Sequence, residues 1–227
     1  MSRLSDVKED RKLAISAEEI ILSERAYNLV LGSVVLYGLV LNIFMCYFTK
    51  DIFLGINPWV LLIGSIVCST LGIFIAGFSE SILRSFLGFN LLVLGMGSVL
   101  VVSVSMMKLD SRIILQAFLI TALVVFCMSI FSVLFPNFSR SIGGVLTSIL
   151  GGIIIAELIL LLLGFSNSFI SWISAILFSL YVAYDVTKAQ DCTKTISNAI
   201  FCAVDVYLDV INLFMDILCI LADLADN

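Results

Sequence analysis

The 227 residues are 61% hydrophobic with a mean hydropathy of +1.18, more apolar surface than a soluble chain of this length can bury. A net charge of −5, with the charges gathered in the N-terminal tail and at the ends of apolar runs, excludes a basic nucleic-acid-binding surface. The chain has no histidine, so it lacks the commonest metal ligand and the usual near-neutral proton switch, and any pH response must come from shifted carboxylates.

This composition marks an all-α polytopic membrane protein whose first partner is the lipid bilayer. The opening stretch, "MSRLSDVKEDRKLAISAEEIILSERAYN", is too long, too polar and too acidic for a cleaved signal peptide. Residues 1–22 are expected as a solvated cytoplasmic tail carrying at most a short surface helix, and residues 23–227 as the transmembrane domain. Seven apolar segments follow, at 26–48, 58–78, 86–107, 112–134, 142–164, 168–187 and 197–222. Each is long enough to cross a hydrocarbon core of about 30 Å at about 1.5 Å per residue.

The connections carry their own signals. Pro58, after "TKDIFLGIN", suits the first turn of a helix. "FPNFSRS" reads as a breaker cluster between the fourth and fifth segments, and "LGFSNSF" as a very short turn between the fifth and sixth. Small residues recur in "GMGS" (95–98) and in "GGVLTSILGG" (143–152). The second offers Gly143, Gly144, Thr147, Ser148, Gly151 and Gly152 at spacings of three and four, a pattern that lets helix backbones approach closely in lipid.

Seven spans put Arg3, Lys8, Arg11, Lys12, Arg25, Arg84, Arg140, Lys188 and Lys194 on one side, against Lys50, Lys108 and Arg112 on the other. That bias predicts a cytoplasmic N-terminus and an outer C-terminus, provided the last segment crosses rather than re-enters. Cys46, Cys68, Cys127, Cys192, Cys202 and Cys219 form no C-x-x-C pair and read as small buried thiols.

Carboxylates inside apolar segments are the chemically informative residues, because a charge at membrane depth costs at least ~2.5 kcal/mol on insertion scales. In "AVDVYLDVINLFMDIL" (203–218), Asp205, Asp209, Asn212 and Asp216 are spaced by four, three and four, which sets them on one helical face. Asp223 continues the stripe, and Asp216 and Asp223 lie towards the outer end, where water is near. Asp185, in "FSLYVAYDVTKAQ", ends the sixth segment. Helices joined by a short loop bring Asp185 and Asp209 to heights that differ by about one turn, so the two can meet. Two carboxylates together in a low dielectric do not both ionise cheaply: one proton is retained and the pair titrates as a unit. The same oxygens suit a hard cation such as Ca²⁺. Glu157, in "IIIAELILLL", is either a third acid of the pathway or the partner of a neighbouring hydroxyl. Arg84, in "SESILRSFLGF", is either a cytoplasmic-end charge or a latch on an aspartate.

"SLYVAYDVTKAQ" followed by "DVYLDVINLFMDIL" resembles the paired signature of the Bax inhibitor family, the transmembrane Bax inhibitor motif proteins. The likeness is most specific over 179–218 and extends over the whole layout, "LQAFLITALVVF" (115–126) included. It implies a seven-helix bundle with the last helix near its centre, and a calcium leak across a bacterial plasma membrane or the endoplasmic reticulum. Eukaryotic members are associated with suppression of cell death. The resemblance further implies that Asp185 and Asp209 form a hydrogen-bonded, proton-sharing pair governing pH-sensitive calcium permeation. The family's arginine latch finds its nearest candidate in Arg84, which falls slightly late. Asp205 and Asp216 are additions to the core motif. No cofactor and no enzymatic activity is expected. Intramembrane aspartyl proteases share the "YD" half of their pattern with this chain, but the second half reads "YLDVIN" without the glycines. The rival expectation is a regulatory membrane protein that works through protein partners, without an ion flux of its own.

Overall fold

The computed structural model describes residues 20–78, 81–107, 109–163 and 168–226. Among them the regular structure is helical throughout: α1 (Glu24–Phe48), α2 (Lys50–Leu54), α3 (Pro58–Phe78), α4 (Ile82–Met107), α5 (Ser111–Leu134), α6 (Pro136–Ser141), α7 (Gly143–Leu163), α8 (Ser168–Gln190) and α9 (Ile196–Asp226). Among the described residues each of the seven apolar segments coincides with a helix, and five stretches, against the seven spans expected, are long and apolar enough to cross a membrane: Glu24–Phe48, Pro58–Phe78, Ile82–Met107, Ser111–Leu134 and Phe169–Gln190. Most of the tail, residues 164–167 of the expected short turn and Lys108 lie outside the described residues.

Local chemistry sets the helix starts. The Ser23 hydroxyl accepts from Ala26 N at 3.3 Å and caps α1. Asn57 Oδ1 accepts from Trp59 N at 3.0 Å ahead of α3, whose first residue is Pro58, as its missing N–H favours. Asp110 Oδ1 accepts from Arg112 N at 3.2 Å before α5, and the Thr195 hydroxyl from Asn198 N at 3.2 Å before α9. Each bond satisfies a backbone donor that a helix start leaves open. The "FPNFSRS" cluster ends α5 at Leu134, as a breaker should, and Pro136 then starts the six-residue α6, because proline breaks a helix interior but fits the first helical turn. "KDIFL" likewise forms one short helix, α2.

The chain divides into two compact units. The first holds α1 to α4, the connector 191–195 and the opening turns of α9 up to Tyr207. Here α3 and α4 cross on glycine. A Cβ on Gly72 would lie 2.5 Å from Leu92 N and 2.6 Å from Gly88 O, and one on Gly88 would lie 2.7 Å from Gly72 O. In "GMGS", Gly95 meets the Ser65 and Ser69 backbone of α3, while Gly97 meets Asn42 and Met45 of α1. Small buried residues on α3 (Ser65, Gly72, Ala76, Gly77) oppose a broad exposed face of Val60, Ile63, Val67, Leu71 and Phe74. In water such a face would be unstable, whereas against lipid tails it is the expected exterior.

The second unit holds α5 to α8 and the rest of α9. Helix α8 packs against α5, α6 and α7. A core of Leu146 and Ile153 from α7 with Leu177 and Tyr181 from α8 joins two of them. The expectation for "GGVLTSILGG" holds at one glycine only. A Cβ on Gly143 would sit 2.6 Å from Tyr184 Cζ, but around Gly144, Gly151 and Gly152 nothing lies within 4 Å. Those three occupy the exposed side of α7. Spacing put small residues on a helix but could not say which face would be covered.

Candidate functional site

Asp185 and Asp209 both belong to the second unit, the first near the end of α8 and the second in the middle of α9. Both are buried, at 9% and 5% exposure, and Asp209 Oδ2 is closed off from the surface. Tyr181 precedes Asp185 by one helical turn, on the same side of α8. Its hydroxyl is within electrostatic reach of both carboxylates, and it donates to Thr147 Oγ1 of α7 at 3.4 Å. Thr147 also donates to Gly143 O at 2.9 Å. Tyr181, Asp185 and Asp209 thus form a polar neighbourhood within an otherwise apolar helix packing, with Thr147 at its exposed edge. Burial in such surroundings disfavours ionised carboxylates unless partners or a shared proton compensate.

The rest of the acidic stripe divides along the helix. Asp205 is half-buried and belongs to the first unit. Asn212 is half-buried, and its amide donates to Leu208 O at 2.8 Å, so one of its donors is used on its own helix. Asp216 is half-buried with Oδ2 closed off from the surface, while Asp223 is exposed, in keeping with a hydrated end. Arg84 is exposed in the first turn of α4, in the first unit. Glu157 lies on α7, but its side chain is outside the described residues. Among the described residues no three His, Cys, Asp or Glu side chains cluster as a metal site. Two carboxylates alone fall short of the six to eight oxygens Ca²⁺ takes, so a cation passing them would keep part of its water.

Three features escaped the sequence reading. Tyr181 carried a signal, its four-residue spacing to Asp185. Asn42 is an amide deep inside an apolar segment, and its Nδ2 donates to Tyr207 OH at 2.5 Å, both residues being buried. The Tyr207 ring meets Phe89 edge-on at 5.4 Å between centroids. The cysteines are not uniformly buried thiols: Cys127 is exposed, Cys46, Cys68 and Cys219 are half-buried, and Cys192 and Cys202 are buried with their sulfurs 3.2 Å apart. Spacing of ten residues gave no motif to find that pair.

Several apolar helices of spanning length, with small residues buried and large ones exposed, define an integral membrane protein of helical class. Residues 21–226 match the family described as Inhibitor of apoptosis-promoting Bax1, and the chain belongs to this Bax inhibitor family. Proteins of two Helicobacter pylori strains, both described as uncharacterized, are each 37% identical over 116 residues, which is 49% of this chain and 49% of theirs. The chain spans about half the length of these curated relatives.

Proposed function

We propose that this chain is a pH-sensitive calcium leak pathway gated by protonation of Asp185 and Asp209. The supporting observation is the burial of both carboxylates, one on α8 and one on α9, each within reach of the Tyr181 hydroxyl. In this reading the seven long helices cross the bilayer as one bundle with α9 near its centre. The N-terminus is cytoplasmic, in a bacterial plasma membrane or a eukaryotic internal membrane such as the endoplasmic reticulum. Calcium and protons are the ions handled, and Asp205, Asn212, Asp216 and Glu157 continue the path. Arg84 is the candidate latch.

The physics gives the sign. A shared proton removes one charge and supplies a hydrogen bond that holds α8 to α9, closing the path. Losing that proton sets two negative charges against each other. At about 4 Å and an effective dielectric near 20 this repulsion is about 4 kcal/mol, enough to move a two-state equilibrium from 1:99 to roughly 9:1. The separated carboxylates then offer oxygens to a partly hydrated Ca²⁺. Flux therefore rises with pH. Calcium efflux from proteoliposomes between about pH 6 and 8 tests this, with Asp185→Asn and Asp209→Asn as the comparison.

A second reading rests on the family's description as an inhibitor of a death-promoting protein: regulation through membrane-protein partners, with no flux from the purified chain. Reconstitution without partners separates the two.

A further inference from the structure

Apart from the carboxylates, the most chemically suggestive cluster lies in the first unit, where the connector enters α9. Cys192 sits in the connector and Cys202 in the second turn of α9, both about 4% exposed. Their Sγ atoms are 3.2 Å apart. A disulfide holds its sulfurs at about 2.05 Å, so about an ångström of movement separates the two thiols from a bond. They are ten positions apart in sequence, and the intervening backbone is already folded back: Asn198 Nδ2 donates to Thr193 O at 3.0 Å and Thr195 caps the helix. The Tyr27 hydroxyl is buried against both thiols. The Lys194 ammonium lies 4.6 Å from the Tyr27 ring centre, within electrostatic reach of both sulfurs. Asp191 is exposed, so Cys192 is one residue from the surface.

We propose that Cys192 and Cys202 form a reversible dithiol–disulfide site whose substrates are low-molecular-weight disulfides such as oxidised glutathione. The Cys192 thiolate attacks one sulfur of the substrate disulfide, breaking that bond and releasing one glutathione thiolate. The Cys202 thiolate then attacks Cys192 Sγ in the mixed disulfide, forming the internal bond and releasing the second glutathione thiolate. Two protein thiols are oxidised, one small disulfide is reduced to two thiols, and the two protons leave on the glutathione. The product ties the connector between α8 and α9 covalently to α9. The site is independent of whether the chain conducts calcium.

The test uses the full chain in lipid nanodiscs, treated with oxidised glutathione, denatured, alkylated and weighed. The wild type should lose two alkylatable thiols of its six, regain them with dithiothreitol, and show a 192–202 cross-link on peptide mapping. Cys127→Ser should lose the same two. Cys202→Ser should stop at a glutathione adduct on Cys192, and Cys192→Ser should form no internal bond. Six alkylatable thiols after treatment would overturn the proposal. So would a cross-link mapped to another pair, or the same two-thiol loss in Cys202→Ser.

Discussion

The Tyr181 hydroxyl of α8 donates to Thr147 Oγ1 of α7 at 3.4 Å, one helical turn before Asp185 on its own helix. The contact is long, and interhelical hydrogen bonds between membrane helices average only about 0.6 kcal/mol. Tyr181→Phe should therefore keep the fold and cost about 0.5 kcal/mol or less in a denaturant or thermal unfolding series. In the proposed gate it should leave the pH midpoint of calcium flux within about half a unit of the wild type, because the hydroxyl gives its one proton to Thr147 and not to a carboxylate.

Asn42 and Tyr207 are a stronger structural pair, at 2.5 Å and fully enclosed. Tyr207→Phe strands a buried amide, which costs about 1–3 kcal/mol. Replacing both groups by apolar ones removes the stranded partner. Asn42→Leu with Tyr207→Phe should then lose less stability than the two single changes added together. A double-mutant cycle by reversible unfolding checks the sign of that coupling.

The glycines separate into two classes that spacing alone treats alike. Gly88→Ala drives a methyl into the α3 backbone at Gly72 and Ala76, where no flexible side chain can give way. Overpacking of that kind costs about 1–3 kcal/mol. Gly151→Ala and Gly152→Ala meet open space and should be neutral, or stabilising by a few tenths of a kcal/mol from helix propensity. Unfolding midpoints of the three single variants, measured in one detergent, decide between these expectations.

Much of the fold was legible because apolar length is a local property of the chain. Among the described residues the seven segments emerged as helices, five of them with the length and apolarity of a membrane span, with ends shifted by up to four residues where caps such as Ser23 and Asp110 set the start. The short helices α2 and α6 were hidden in stretches read only as connections, since Pro136 both follows the end of α5 and opens a helix of its own. The acidic stripe was also legible, because a continuous helix turns spacing into a shared face. What lies opposite a face was not. Gly143 meets Tyr184 while Gly144 meets nothing, and Cys192 meets Cys202 across a connector that carries no motif. Those facts depend on packing between segments distant in sequence or across an irregular turn.

The gate itself is tested most directly by calcium efflux from proteoliposomes holding the purified chain alone, followed from about pH 6 to 8 in wild type, Asp185→Asn and Asp209→Asn. The proposed function predicts that wild-type flux rises at least several-fold with pH and that each single substitution flattens the dependence. An amide cannot lose the proton whose departure opens the path. Flux that is absent in the wild type, or a pH response unchanged in both variants, would contradict it.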